Sequence, residues 1–482
     1  MKLAALPRIL AAAALLAASA CGGGAPFGQN GSALPAGRPS GSVPIKHVVI
    51  VVQENRSFDD LFALFPGANG ATRGKRKVKQ GSVYVDKWTP LKAHALVMPT
   101  DIQHCHKAFL TAYDGGAMDG FNLVDKGVCP TGSGPVGTLA YQYVKESQIQ
   151  PYWDIASQWV LADAMFQTQG SGSFTAHQDL IRGDTAIDSD HSLVDNPTGM
   201  PWGCDASPNT VTSLITAQGQ VQKNAGPFPC SNKFPGSGAN YQTLRDVLDA
   251  QGVSWKYYSP CFSARKCSGS SGCTDCAGGL LNAFDVIAAV RYGSEWASNV
   301  SIPETNIFND ISGGTLPAVS WVIPEDANSD HPGDGKVDNG PAWVASVVNA
   351  VGESSYWNST VVIVVWDDWG GFYDNAVPQQ FSDLEGGLGF RVPALIVSAY
   401  DKSGGSKGGY VSHTQYEFGS ILKYAEQTFG LGSLGTTDTR ANSISDVFNY
   451  NQQPRAFTPI ASKLDPHYFQ THREAHSLGD PQ

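Results

Sequence analysis

The sequence has no surplus of positive charge. Its 32 Lys and Arg stand against 43 Asp and Glu, giving a formal net charge of -11 and a pI of about 5.4. That balance argues against a basic patch able to hold nucleic acid or an anionic membrane surface, and nucleic acid is not an expected partner. Beyond the amino-terminal segment no apolar run approaches the roughly 18 residues that a membrane-crossing helix needs. No glycine-rich nucleotide signature surrounds Gly115 and Gly116, so these read as turn residues and no nucleotide cofactor is expected. Internal repeats are also missing, which sets aside solenoid architectures.

What is present begins with an export signal. Lys2 and Arg8 flank the start, Ile9 to Ala18 is apolar, and small residues precede Cys21. Ala18-Ser19-Ala20-Cys21 resembles a bacterial lipobox with Ala where Leu is usual. On that reading Cys21 is lipidated and anchors the protein at the cell envelope, in the periplasm or on the surface; an ordinary cleaved signal would leave it secreted. Residues 22–44, rich in Gly, Ser, Ala and Pro, read as a flexible tether. A chain of 482 residues can bury a large core, and 53 Gly and 29 Pro imply many loops. The expected organisation is a signal at 1–21, the tether at 22–44, a catalytic domain at 45–462 and a polar tail at 463–482.

Apart from Cys21 the cysteines are Cys105, Cys129, Cys204, Cys230, Cys261, Cys267, Cys273 and Cys276. An even set in an exported chain points to disulfides. Cys261, Cys267, Cys273 and Cys276 also permit a four-thiolate zinc site. Most of these cysteines fall within residues 184–279, which therefore read as a disulfide-rich insertion or cap.

Two Val/Ile-rich runs carry the central signal. Ile45 to Gln53 ends at Glu54-Asn55, and Val361 to Trp366 ends at Asp367-Asp368. Such runs predict strands buried on both faces, hence an α/β fold with a mostly parallel central sheet between helices. In such sheets the ligand site lies beyond the carboxyl ends of the strands. Three carboxylates and an amide oxygen gathered there suit a divalent cation. Tyr152 to Phe166 predicts a helix passing into a strand; Gln167 to Ser173 is a Gly/Ser turn leading into a helix from Phe174. A strand, a tight turn and a helix start expose a nucleophile beside backbone N–H groups, and Ser173 stands there. Further strands are expected at Ala318 to Ile323 and Val392 to Ser398, and helices at Trp343 to Val351 and Gln415 to Phe429.

The strings Glu54-Asn55-Arg56-Ser57-Phe58-Asp59 and Trp366-Asp367-Asp368-Trp369-Gly370-Gly371-Phe372-Tyr373-Asp374 resemble the bacterial phosphoesterase family of phospholipases C and acid phosphatases, in the alkaline-phosphatase-like superfamily. Asp101-Ile102-Gln103-His104, Asp163-Ala164-Met165-Phe166, Asp330-His331-Pro332, Arg391-Val392-Pro393-Ala394 and Val411-Ser412-His413 follow in the family's order, over roughly residues 45 to 460. The resemblance implies a phosphoric ester hydrolase in which Glu54, Asn55, Asp367 and Asp368 hold the metal and Ser173 is the nucleophile. It places His104, His331 and His413 around the phosphate, with His331 as general acid, and His177 keeps the family's histidine position after the nucleophile as a further catalytic residue. The substrate is then a phosphate monoester or a diester such as a phospholipid head group. Ala176, Asn375 and Phe418 depart from the family pattern, and they support a second reading, an exported phosphoryl- or metal-binding protein that has lost turnover. The sulfatase branch is disfavoured, because Ser173-Phe174-Thr175-Ala176 lacks its Pro and Arg. His47, His94, His106 and His191 read as structural, as do Arg56 and Asp59, which secure the first loop, and Asp374, which orients its neighbours.

Overall fold

The computed structural model describes residues 43–472 apart from 239, 261–280 and 334–336. The expected signal, most of the tether and the cysteines from Cys261 to Cys276 lie outside the described residues. The strands that matter are β1 (His47–Gln53), β2 (Arg73–Gln80), β3 (Val83–Pro90), β4 (Val160–Phe166), β5 (Trp255–Tyr258), β6 (Val300–Ser301), β7 (Val319–Val322), β8 (Thr360–Trp366), β9 (Arg391–Ser398), β10 (Tyr410–Ser412) and β11 (Tyr416–Glu417). The helices that matter are α1 (Gln150–Gln158), α2 (Ser173–Arg182), α3 (Gly340–Gly352) and α4 (Phe418–Phe429).

Every residue of β8 and β9 is buried, as is β1 from Val48 onward. Such strands need cover on both faces, and they form the middle of a nine-stranded sheet in the order β6-β5-β7-β1-β8-β9-β4-β10, with β11 also on β4. All pairs run parallel except those of β9, which is antiparallel to both β8 and β4. The mostly parallel sheet is thus as expected, with one reversed strand in its centre. Helix α2 packs with α4, and α1 with α3. The register shows that the two pairs cover opposite faces. Trp321 of β7 donates to the Leu180 carbonyl of α2 and lies level with Ile50; Gln53, three residues on, points the other way and donates to the Tyr152 hydroxyl of α1.

The expected insertion at 184–279 does not stand wholly outside the core. Its earlier part makes a three-stranded sheet (His191–Val194, Ser213–Thr216, Val221–Gln222), but Trp255–Tyr258 is β5 of the central sheet, between β6 and β7. Its side chains, Trp255 and Tyr257 among them, fill the core beside Phe284 and Trp321. The tail is likewise not all surface: Pro466–Thr471 is a helix whose Phe469 packs edge-on against Trp343 of α3. Cys204–Cys230 staples the insertion, and Cys105–Cys129 ties down the loop carrying His104. No helix among the described residues is long and apolar enough to cross a membrane.

Net charge proved a poor guide to the surface. Strands β2 and β3 form a hairpin bearing Arg73, Lys75, Arg76, Lys77, Lys79 and Lys87 against a single acid, Asp86. A chain-wide average hides this concentration: contrary to the expectation from net charge, the protein carries a basic patch.

Candidate active site

Gln53 of β1 lies level with Trp366 of β8, so Glu54-Asn55 and Asp367-Asp368 leave the sheet side by side. The Asp367 N–H donates to the Gln53 carbonyl, and Asp367 Oδ1 accepts from the N–H groups of Asn55 at 2.9 Å and Asp368 at 2.6 Å. Asn55 takes the left-handed conformation, φ 59°, to make this turn. Gly370 lies so close that a Cβ there would sit 1.9 Å from the Asn55 carbonyl oxygen, which is why the string after Asp368 needs glycine.

The adjacent aspartates divide. Asp368 turns toward Ser173, whose Oγ donates to its Oδ2 at 3.1 Å, while Gly370 N–H donates to Oδ1 at 2.8 Å. Asp367 turns toward Glu54 and His177. One ligand atom from each of Glu54, His177 and Asp367 lies within 4.8 Å of the others, a spacing that a single coordinated cation spans. His177 Nε2 is 3.0 Å from Glu54 Oε1 and 3.8 Å from Asp367 Oδ2. Ser173 and His177 are four apart on α2 and so project from one side of it. The helix starts at Ser173, whose neighbour Phe174 directs its N–H to Asn196 Oδ1 at 3.2 Å.

Glu54 Oε2, Asn55 Oδ1 and Asp367 Oδ2 are buried acceptors with no hydrogen-bond donor. Buried polar atoms are seldom left so, because each costs about 1–3 kcal/mol. A divalent cation supplies what all three lack, and the donor set of carboxylates, amide oxygen and imidazole fits one.

Burial, assisted by the charge of neighbouring carboxylates, pushes Glu54 and Asp367 up to about 8 and Asp368 up to about 7. Burial also lowers His177 against the pull of Asp367 and Asp368, which favours the neutral imidazole that ligates metal. At His104 burial opposes the charged ring, but Asp368, Asp101, the Ile102 carbonyl and Asp367 outweigh it and push the group up to about 9. His104 Nδ1 is 2.7 Å from the Ile102 carbonyl and Nε2 is 2.9 Å from Asn55 Nδ2. With that amide orientation a neutral His104 accepts from Asn55 and leaves Asn55 Oδ1 for a cation, whose charge would offset the carboxylates that raise His104.

The cation-free protein should therefore become less stable as pH rises from about 5 to about 8. Its folded carboxyls hold protons that the unfolded chain has released, so the folded state binds more protons across that window and stability falls with pH. Urea unfolding of chelated protein should show this fall, and an added divalent cation should restore more stability at pH 8 than at pH 5. Stability that is flat or rising across the window would mean these carboxyls are not held neutral.

His331 lies beside His104, ring centroids 6.3 Å apart. The loop bearing it is pinned by Asp330, whose Oδ2 accepts from Tyr152 at 2.7 Å and from Trp366 Nε1 at 2.9 Å, in the left-handed conformation at φ 75°. His413 is not brought here. It follows β10, where Ser412 lies level with Ala162, and its Nδ1 meets Asp163 at 2.7 Å. Asp163 is three residues, about 10 Å, short of the carboxyl end of β4, and the His413 side chain is 65% exposed.

Four more histidines are held by the framework: His47 by the Pro317 carbonyl, His94 by Asp60, His106 by the Gly170 carbonyl and His191 by Asp188. Arg56 links Asp60, the Leu96 carbonyl and the Asp330 carbonyl, and Asp59 accepts from Ala71 and Asn375. Asp374 pairs with Arg391. The three departures also serve the framework: Ala176 and Phe418 are buried, and the Asn375 side chain accepts from Arg391 at 2.6 Å. Sequence reasoning missed Asn196, which no local pattern marks, and it named His177 as a catalytic residue without grouping it with Glu54 and Asp367, although its four-residue spacing from Ser173 was a usable signal.

A sequence profile described as the Phosphoesterase family matches residues 45–432. The chain is 26% identical over 441 residues to the non-hemolytic phospholipase C of Burkholderia pseudomallei, covering 82% of this chain and 57% of that protein. It is 23% identical over 470 residues to phospholipase C A of Mycobacterium tuberculosis, covering 88% and 81%. The chain thus spans little more than half the length of the Burkholderia relative. Among solved structures, a protein in the alkaline phosphatase superfamily from Vibrio parahaemolyticus aligns at a TM-score of 0.34 and 12% identity over 84% of this chain and 73% of that one.

Proposed function

Since the chain belongs to the Phosphoesterase family, we propose that it is an exported, divalent-cation-dependent phosphoric ester hydrolase that works through Ser173. The observation that carries this reading is the Ser173 hydroxyl donating to Asp368 directly beside three donorless buried acceptors. Glu54, Asp367, His177 and Asn55 would hold the cation, and Asp368 would share between it and the serine. When bound, a divalent cation lowers the pKa of a hydroxyl and neutralises phosphoryl charge.

The residues divide the remaining work. Asp368 takes up the Ser173 proton and aims Oγ at phosphorus. The Oγ–P bond forms as the bond from phosphorus to the departing alcohol breaks, and His331 gives that alcohol its proton. The amino end of α2 faces the phosphoryl oxygens, where its positive potential stabilises developing charge, and His104 holds Asn55 in place through Nε2. Water, giving a proton to His331, then attacks phosphorus as the Oγ–P bond breaks; Asp368 returns its proton to Ser173, and phosphate or a phosphomonoester leaves. The relatives' names favour phosphodiesters of phospholipids, and phosphomonoesters fit the same chemistry. Two disulfides, which persist in oxidising compartments, support an exported setting, with Cys21 as the proposed lipid anchor.

The test is hydrolysis of p-nitrophenyl phosphate beside p-nitrophenyl phosphorylcholine over a range of pH and divalent cations, followed by acid quench and mass spectrometry of the Ser173 peptide. Release that needs cation, with a phosphoryl adduct on Ser173, is the expected result. Release with no adduct and no cation requirement would overturn the reading, and no release from either ester would favour a binding protein.

A further inference from the structure

The β2–β3 hairpin is not used by the chemistry above. Its eighteen residues, Arg73 to Pro90, carry six of the chain's 32 basic residues in a protein whose net charge is -11. Only Lys77 is ion-paired among the described residues, to Asp114 and Asp119; Arg73, Lys79 and Lys87 are exposed, Lys75 and Arg76 half-buried. Beside these cations the hairpin exposes the apolar residues Val83 (57%), Tyr84 (55%) and Trp88 (56%). Val83 and Tyr84 follow directly on the Gly81-Ser82 turn, so the tip is apolar and cations lie behind it.

The root of the hairpin is fixed, and fixed to the active-site edge of the sheet. A Cβ on Gly74 would fall 2.5 Å from the Tyr373 ring, and Tyr373 belongs to the loop that leaves Asp367-Asp368. The Lys77 N–H donates to the Asp119 carbonyl at 2.9 Å, Asn122 bonds the Lys77 backbone from both sides, and Tyr141 donates to the Lys75 carbonyl. The ribbon is thus held rigidly at its base and presents its far end to solvent.

We propose that this hairpin docks the protein on an anionic lipid surface, its lysines and arginines against the head groups, with Trp88 level with Lys75 among them, and Val83 and Tyr84 at the tip in the interfacial layer. Charge complementarity gives the partner its sign, and an apolar tip backed by cations matches the depth profile of a bilayer interface, where aromatic rings settle at head-group level. Nucleic acid fits less well. Its bases need free aromatic faces, whereas the Trp88 ring already carries Arg73 at 4.7 Å and Lys75 at 5.9 Å, and the tip offers an aliphatic valine.

The test is sedimentation of the full chain, carrying Cys21→Ser throughout so that no acyl group contributes, with vesicles of phosphatidylglycerol and phosphatidylcholine or of phosphatidylcholine alone. Binding should be at least about 10-fold stronger to the anionic vesicles and weaken as salt rises. The combined variant Lys75→Gln, Lys79→Gln and Lys87→Gln should lose about 100-fold, and Val83→Ser with Tyr84→Ser should also bind more weakly. Hydrogen exchange of residues 79–88 should slow with anionic vesicles and not with phosphatidylcholine, a readout that needs no variant. No step depends on turnover, so the result stands apart from the hydrolysis proposed above. Equal binding to both vesicle types, unchanged exchange in the hairpin, or tighter binding to single-stranded DNA than to anionic vesicles would overturn the proposal.

Discussion

Ser173→Ala should lower hydrolysis of both esters by about 10⁴-fold or more, since losing a covalent nucleophile removes the pathway itself and leaves only slow attack by water. The Ser173 side chain is fully buried and has a single hydrogen bond, to Asp368 Oδ2, so little else depends on it. Its oxygen is not among the three donorless acceptors, and the variant should still bind cation through Glu54, Asp367 and His177. The measurement that checks this is the pair of esters assayed on parent and variant, with metal content read on both. A variant within 10-fold of the parent would remove Ser173 from the mechanism. Loss of cation together with activity would instead assign Ser173 to the metal site.

The largest effect on stability should come from Arg391→Met. Arg391 is fully buried at the start of β9, makes two-atom contact with Asp374 at 3.0 Å, lies 3.6 Å from Asp59 and donates to the carbonyls of Asn69 and Asp163. Its guanidinium also covers the Phe58 ring at 4.2 Å. Burial and the charge of Asp374 already hold Asp59 well above the usual carboxylate range, and Arg391 opposes them first, ahead of the Ala71 and Asn375 N–H groups. Removing one partner of a buried pair leaves uncompensated charge and typically costs about 3–5 kcal/mol. The loss should be greatest at about pH 8 and smaller at about pH 5, because the stranded Asp59 carboxyl then takes up a proton in the folded state, where its pKa exceeds the unfolded value. Urea unfolding at the two pH values measures this. A loss below 1 kcal/mol, or a larger loss at the lower pH, would show that the pair is not what holds this corner together.

How far the site could be read before the fold differs from residue to residue. Glu54-Asn55 and Asp367-Asp368 were legible because each follows an apolar run long enough to mark a strand, and strand ends in parallel sheets collect ligands. Ser173 was legible from its turn. The division between the two aspartates was not, since the direction of each side chain past the strand end is set by the Asn55 and Gly370 backbones packed against them. His413 carried the right motif but belongs to an edge strand whose register stops short of the site. The basic hairpin was legible as five Lys and Arg within Arg73 to Lys79, yet the chain-wide charge concealed it.

The sequence by itself determined the buried strands, the turn at Ser173 and the types of ligand available, because hydrophobic periodicity and turn chemistry act over a few neighbouring residues. Only the tertiary structure decided that β9 runs against its neighbours, that Trp255–Tyr258 joins the main sheet, and that His177 stands with Glu54 and Asp367. Those outcomes depend on register and packing between segments up to some three hundred residues apart, where the free energy lies in burying whole faces together and no local pattern encodes the partner.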